Sequence, residues 1–150
     1  MSEGATFAEI SGRRVVFCVA PQDVDAAWSV SSRFLGKVFA ESKTHTADDV
    51  RDILLEKRAN LWVQWCIDTG IVEAAFVTEF VKYPKGVWVR LWLGGAHSGS
   101  GVDYLLAEDA LTKWAKQNGC RGFEIVGRHG WARKFPDAVV EGLCMRTTFS

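Results

Sequence analysis

The sequence predicts a single mixed α/β domain: one mostly antiparallel sheet, one parallel strand pair and flanking helices. Three observations carry this. Short apolar, β-branched runs recur over 14–20, 61–67, 71–82, 87–93 and 123–127. Between them lie stretches with apolar residues at three- and four-residue steps, over 23–41, from Thr46 onward, and over 103–118. The run at 87–93 leads into Gly94-Gly95 and a loop with Gly99 and Gly101, after which Asp103 opens a helix. With 150 residues, 48% of them apolar and 24% charged, the chain suits one domain with a substantial core.

In chain order, residues 1–11 are polar and mixed and read as a loose lead-in. RVVFCVA, at 14–20, is a strand that Pro21 ends. Asp23 is an N-cap for a helix running to about Glu41, which Ser29, Ser31, Ser32 and Gly36 weaken enough to bend or break. Thr46 and Asp49 make a capping-box-like pair at the next helix, whose buried stripe is Val50, Ile53 and Leu54. A strand at 61–67 closes on Asp68-Thr69-Gly70, a hairpin signal. The strand at 71–82 alternates, placing Val72, Ala74, Phe76 and Phe80 on one face and Glu73 and Glu79 on the other. After the turn Tyr83-Pro84-Lys85-Gly86, Val87, Val89, Leu91 and Leu93 share one face, and Trp88, Arg90 and Trp92 the other. The helix at 103–118 carries the stripe Leu106, Ala107, Ala110, Leu111, Trp114 and Ala115, with Gly119 just past its end. The strand at 123–127 should run parallel to 87–93, because a helix crosses between them. Residues 131–140 suit a short helix limited by Pro136, and 143–149 a last strand.

Composition narrows the function classes. The formal net charge is zero and no basic run stands out, so nothing points to nucleic acid. No apolar run reaches spanning length, and the N-terminus lacks the pattern of a signal peptide, so a soluble cytoplasmic protein is expected. Cys18, Cys66, Cys120 and Cys144 lie far apart, without a Cys/His cluster, which favours reduced thiols over a metal site. Seven tryptophans in so short a chain suggest that one or two line a groove or an interface.

The glycine loop has two readings. Glycines at a helix N-terminus let backbone N–H groups approach a phosphate, helped by the helix dipole. They also serve simply to turn the chain between strand and helix. Gly99-Ser100-Gly101 lacks the Lys of a P-loop, and no Ser/His/Asp set has the context of a nucleophile elbow.

The element order, with Ala96, His97, Ser98, Gly99, Ser100 and Gly101 between strand and helix, resembles the GNAT acyltransferases. Their loop motif begins with Arg or Gln, where this chain has Ala96; both glycine positions match. A further resemblance is to small GNAT-like proteins of tailed bacteriophages. It rests on Leu61-Trp62-Val63, Leu93-Gly94-Gly95, Trp114-Ala115, Gly119-Cys120 and Gly127-Arg128-His129-Gly130-Trp131-Ala132-Arg133. The resemblance implies a splayed parallel strand pair holding acetyl-CoA; the scattered cysteines, without a Cys/His cluster, give no reason to expect a metal. Leu93, Gly94 and Gly95 would supply the backbone group that polarises the thioester, and His97, Gly99, Ser100 and Gly101 the diphosphate loop.

Acyl transfer to an amine also needs a proton acceptor. Glu79 and Glu73 are candidates on the strand before, and His129 at the mouth of the cleft, although each also reads as an ordinary strand or turn residue. A Tyr that often protonates the leaving thiolate in this family is missing from 131–140, and the tyrosines present are Tyr83 and Tyr104. Arg128 and Arg133 can bind an acidic group or cap nearby carbonyls. Trp88, Arg90 and Trp92 can form a groove, an interface or a face under the first helices. Two functions follow. One is an acetyl-CoA-dependent N-acyltransferase of bacteriophage type acting on a small-molecule or protein amine. The other is a non-catalytic virion or assembly protein whose partners are phage structural proteins or further copies of itself, virion-associated in the host cytoplasm.

Overall fold

Strand pairing begins one element earlier than the sequence predicts. Residues Ala5–Ser11, expected to be loose, form strand β1, which turns at Gly12 (φ +59°) and pairs antiparallel with β2, Arg14–Val19. Phe7 explains the ordering: it is buried among Val16, Cys18 and Trp62, an apolar anchor that a composition average over 1–11 hides. The structure, a computed structural model, describes residues 5–97, 101–125, 134–135, 139, 141 and 146–149.

The remaining strands are β3 (Asn60–Cys66), β4 (Ile71–Tyr83), β5 (Gly86–Ala96) and β6 (Phe123–Ile125). They lie in chain order in one six-stranded sheet. Every pairing is antiparallel except β5 with β6, which is parallel as the intervening helix requires.

Helices cover both faces. The expected helix over 23–41 is divided into α1 (Val24–Ser31), a 3₁₀ segment (Ser32–Leu35) and α2 (Gly36–Glu41). Asp23 sits at the N-cap of α1 but its side chain makes no capping bond, because a 3₁₀ turn, Pro21–Asp23, leads in. The break has a tertiary cause as well as a weak local sequence: Leu35 is fully buried and the Phe34 backbone is pressed against β5. Helix α3 (Ala47–Leu55) starts at the expected capping box, with Asp49 N–H donating to Thr46 Oγ1 and Thr46 N–H to Asp49. Helix α4 (Tyr104–Gln117) buries the whole expected stripe against the other face, with Phe7, Val16, Trp62, Phe76 and Val89. Leu61, Val63 and Val77 pack instead with α1 and α3.

Two irregularities change which face a residue takes. Gln64 pairs with Ala74 and Trp65 with Val72, so Glu73 is an extra residue in β4. Val77 pairs with Leu93 and Thr78 with Leu91, so Trp92 is an extra residue in β5. The second bulge moves Leu93 off the face it was expected to share with Leu91. Leu93 and Trp92 both pack toward the α1–α3 side. At the C-terminus, residues 146–149 have no strand structure. A strand needs a ladder partner, and these four exposed residues pair with none of the described strands. The rest of that expected strand, and most of the expected helix over 131–140, lie outside the described residues.

Candidate functional site

The parallel pairing of β5 with β6 runs only from Val89–Phe123 to Leu91–Ile125, while β5 continues to Ala96 alongside β4. Beyond Leu91 a cavity of about 210 Å³ opens between the end of β5 and the start of α4. Phe76, Leu91, Gly94, Gly95 and Ala96 line its sheet side, and Val102, Tyr104, Ala107, Leu111 and Phe135 the rest. Gly94 is paired with Phe76 and so faces α4, and the missing side chain leaves that space open. The wall is mostly apolar and suits an extended alkyl chain more than a charged group.

Gly95 is a glycine for a different reason. A Cβ there would collide with the Phe34 carbonyl and lie 2.9 Å from its carbon. Packing of the 3₁₀ segment therefore demands Gly95, while its backbone still borders the cavity. Gly101 has nothing within 4 Å of an added Cβ. His97 does not line the cavity: its N–H donates to the Glu73 carbonyl at 2.7 Å, and its ring meets Phe34 edge-on at 5.9 Å. The Leu93 side chain is turned away by the bulge at Trp92. Gly99, Ser100 and His129 lie outside the described residues, as do Arg128, Trp131 and Arg133.

A buried polar chain holds the entrance to α4. Arg14 Nε donates to Glu73 Oε1 at 3.0 Å, and Gln64 Nε2 donates to the same oxygen at 3.1 Å. Gln64 Nε2 also donates to the Gly101 carbonyl at 3.0 Å, and the Asp103 N–H donates to Gln64 Oε1 at 2.7 Å. Asp103 then caps α4, accepting from the Leu106 N–H at 3.1 Å. The extra residue in β4 makes this possible by turning Glu73 to the α4 side. Burial pushes the Glu73 carboxyl up, but the bonds from Arg14 and Gln64 outweigh it and hold it below the usual carboxylate range. Alternation had placed Glu73 on the same face as Glu79, and no pattern in the sequence singled out Gln64 or Arg14. Near the first turn of α4, Lys134 Nζ lies 5.3 Å from the Tyr104 ring centroid.

Glu79 belongs to a second cluster, on the opposite sheet face. Arg90 bridges Glu79 (3.3 Å) and Glu124 (2.9 Å), and Tyr83 donates to Glu124 at 3.0 Å. Burial works against the Arg90 charge, but its bonds to Glu124 and Tyr83 raise its pKa overall. Trp92 packs toward the helices, with His45 edge-on at 4.9 Å, and Trp88 covers Gly122. Among the described residues, no group of three or more His, Cys, Asp or Glu is placed to hold a metal ion, and no helix is long and apolar enough to cross a membrane.

No family model and no curated protein sequence matches the chain. Solved structures do match. An aminoglycoside acetyltransferase from an uncultured soil metagenomic sample has a TM-score of 0.68 at 12% identity, over 95% of this chain and 99% of that one; it is also known in complex with sisomicin. A predicted acetyltransferase from Clostridium acetobutylicum, with acetyl-CoA, has a TM-score of 0.64 at 12% identity, over 89% and 96%. A ribosomal-protein-alanine N-acetyltransferase from Brucella melitensis has a TM-score of 0.65 at 11% identity, over 91% and 99%. The fold is thus that of the GNAT acetyltransferases. Nothing in these comparisons points to bacteriophage proteins.

Proposed function

We propose that this chain is an acetyl-CoA-dependent N-acyltransferase. The observation that carries the reading is the cavity itself: it lies where β5 outruns β6, is floored by Gly94 and Gly95, and runs along α4 from Tyr104 to Leu111. An apolar slot of this kind fits a pantetheine arm. Helix N-termini suit anions, because the first amides of a helix have no intrahelical acceptor. The Leu106 amide is taken by Asp103, which leaves those of Tyr104 and Leu105 for a diphosphate, with the Lys134 ammonium nearby. The Asp103 carboxylate opposes that charge, so affinity should be modest.

When bound, acetyl-CoA supplies an acyl group activated as a thioester. The protein's part is to hold it, exclude water with the apolar wall, and offer a backbone N–H at Gly94 or Gly95 toward its carbonyl. Glu79 and His129 are the candidates for taking the proton from the acceptor amine. Glu79 stands on the sheet face opposite the cavity and is held by Arg90 at 3.3 Å, so what supports it is its carboxylate on the strand next to β5, in a cluster with two carboxylates to one arginine. The known aminoglycoside complex of a structural neighbour is consistent with an amine acceptor. A bacteriophage affiliation rests on the 127–133 sequence signature.

Calorimetry and thermal melts with acetyl-CoA test the reading. A saturable, stabilising interaction is expected. No stabilisation at millimolar acetyl-CoA overturns it and favours a non-catalytic use of the fold. With an amine panel in hand, Glu79→Gln and His129→Asn then separate the two proton-acceptor candidates: loss of rate on one substitution, with coenzyme affinity kept, identifies the base.

A further inference from the structure

We propose that Gln64 is a positioning residue for the diphosphate of the coenzyme. It sits on β3 and acts through the backbone at the entrance to α4. This rests on the reading of the cleft as a coenzyme A site.

Gln64 is 1% exposed, on the α4 face of the sheet beside Val16 and Trp62. An apolar residue would pack there without the cost of burying a carboxamide. The carboxamide instead makes bonds of a specific kind. Its nitrogen meets two acceptors, Glu73 Oε1 and the Gly101 carbonyl, and its oxygen meets a donor, the Asp103 N–H. Swapping N and O would turn all three contacts repulsive, so the orientation is unique. Glu73, 7% exposed and paired to Arg14, fixes the carboxamide from behind.

The consequence falls on the turn. Gly101 and Asp103 are gripped at both ends of a two-peptide step, and Val102 between them lines the cavity. The amides of Tyr104 and Leu105 follow directly, so their direction is set by the same grip. A loop that must present backbone donors to an anion gains affinity when it is held in place before the anion arrives. Gln64 touches neither the cavity wall nor the first turn of α4 with its own polar atoms beyond these bonds, so it acts through the backbone.

The test compares acetyl-CoA with S-acetyl-pantetheine, which has the same thioester arm and no diphosphate. Both are titrated by tryptophan fluorescence against the full chain and its Gln64→Met variant. Acetyl-CoA affinity should fall about tenfold or more, and S-acetyl-pantetheine affinity should stay within about twofold. A general loosening of the fold would weaken both ligands alike, and that result overturns the proposal, as does no change in either. Arg14→Met, at the half-exposed far end of the chain of bonds, keeps the question open to test if Gln64→Met does not fold. It should show the same selectivity at a smaller amplitude, about threefold. If the unaltered protein binds neither compound, the coenzyme reading itself fails and this proposal with it. If it binds acetyl-CoA and the selectivity is missing, only the role of Gln64 fails.

Discussion

Thr78 is a small residue with a large local consequence. Its Oγ1 accepts the indole N–H of Trp62 at 2.9 Å in a fully buried setting, where Trp62 also stacks on Phe76 and meets Trp114 edge-on. Thr78→Val keeps the shape and leaves that N–H without a partner. We expect a loss of about 1–3 kcal/mol in denaturant unfolding. The glycines separate in the same assay. Gly95→Ala forces a Cβ into the Phe34 backbone and should cost about 1–3 kcal/mol. Gly101→Ala meets nothing and should stay within about 0.5 kcal/mol. Both glycines were legible in the sequence as members of one loop. Their different reasons were not, because one depends on a backbone more than fifty residues away in the chain.

At the scale of elements, the two bulges decide the site. Glu73 as the extra residue of β4 brings a carboxylate to the α4 face, and Trp92 as the extra residue of β5 clears Leu93 from it. Glu73 also ties stability to pH. Its pKa in the folded protein is held below the ordinary carboxylate value of about 4.3, so the unfolded chain binds a proton first as pH falls. The stabilisation is complete above that ordinary value and is lost as pH drops through the lower folded one. Acid titration followed by near-UV circular dichroism should show this loss, and Glu73→Gln should flatten that part of the curve. An unchanged curve would mean that other carboxylates govern acid unfolding.

For the molecule as a whole, ligand and fold are coupled through the cavity. At a hundredfold excess over its dissociation constant, acetyl-CoA should add about 2.7 kcal/mol to stability. For a chain of this size that raises the melting temperature by roughly 5–10 °C. Gly94 faces the cavity by register, so Gly94→Val should fill it. The variant is expected to fold and to lose the melting shift; a retained shift would place the coenzyme elsewhere.

By itself the sequence determined what depends on neighbours within a few residues. The capping box at Thr46, the buried stripe of α4, the hairpin at Gly70 and the parallel sense of β6 all follow from short-range periodicity, turn chemistry or one connection rule. The GNAT resemblance extended that to the fold. Tertiary structure alone decided the rest. Whether β1 forms depends on where Phe7 can be buried, and whether a strand holds an extra residue depends on its partner's register. Gln64, Glu73, Arg14 and Asp103 are scattered over ninety positions and carry no motif. They become a unit only because the sheet sets β2, β3 and β4 side by side beneath the start of α4, where a buried polar group must find its partner or cost stability.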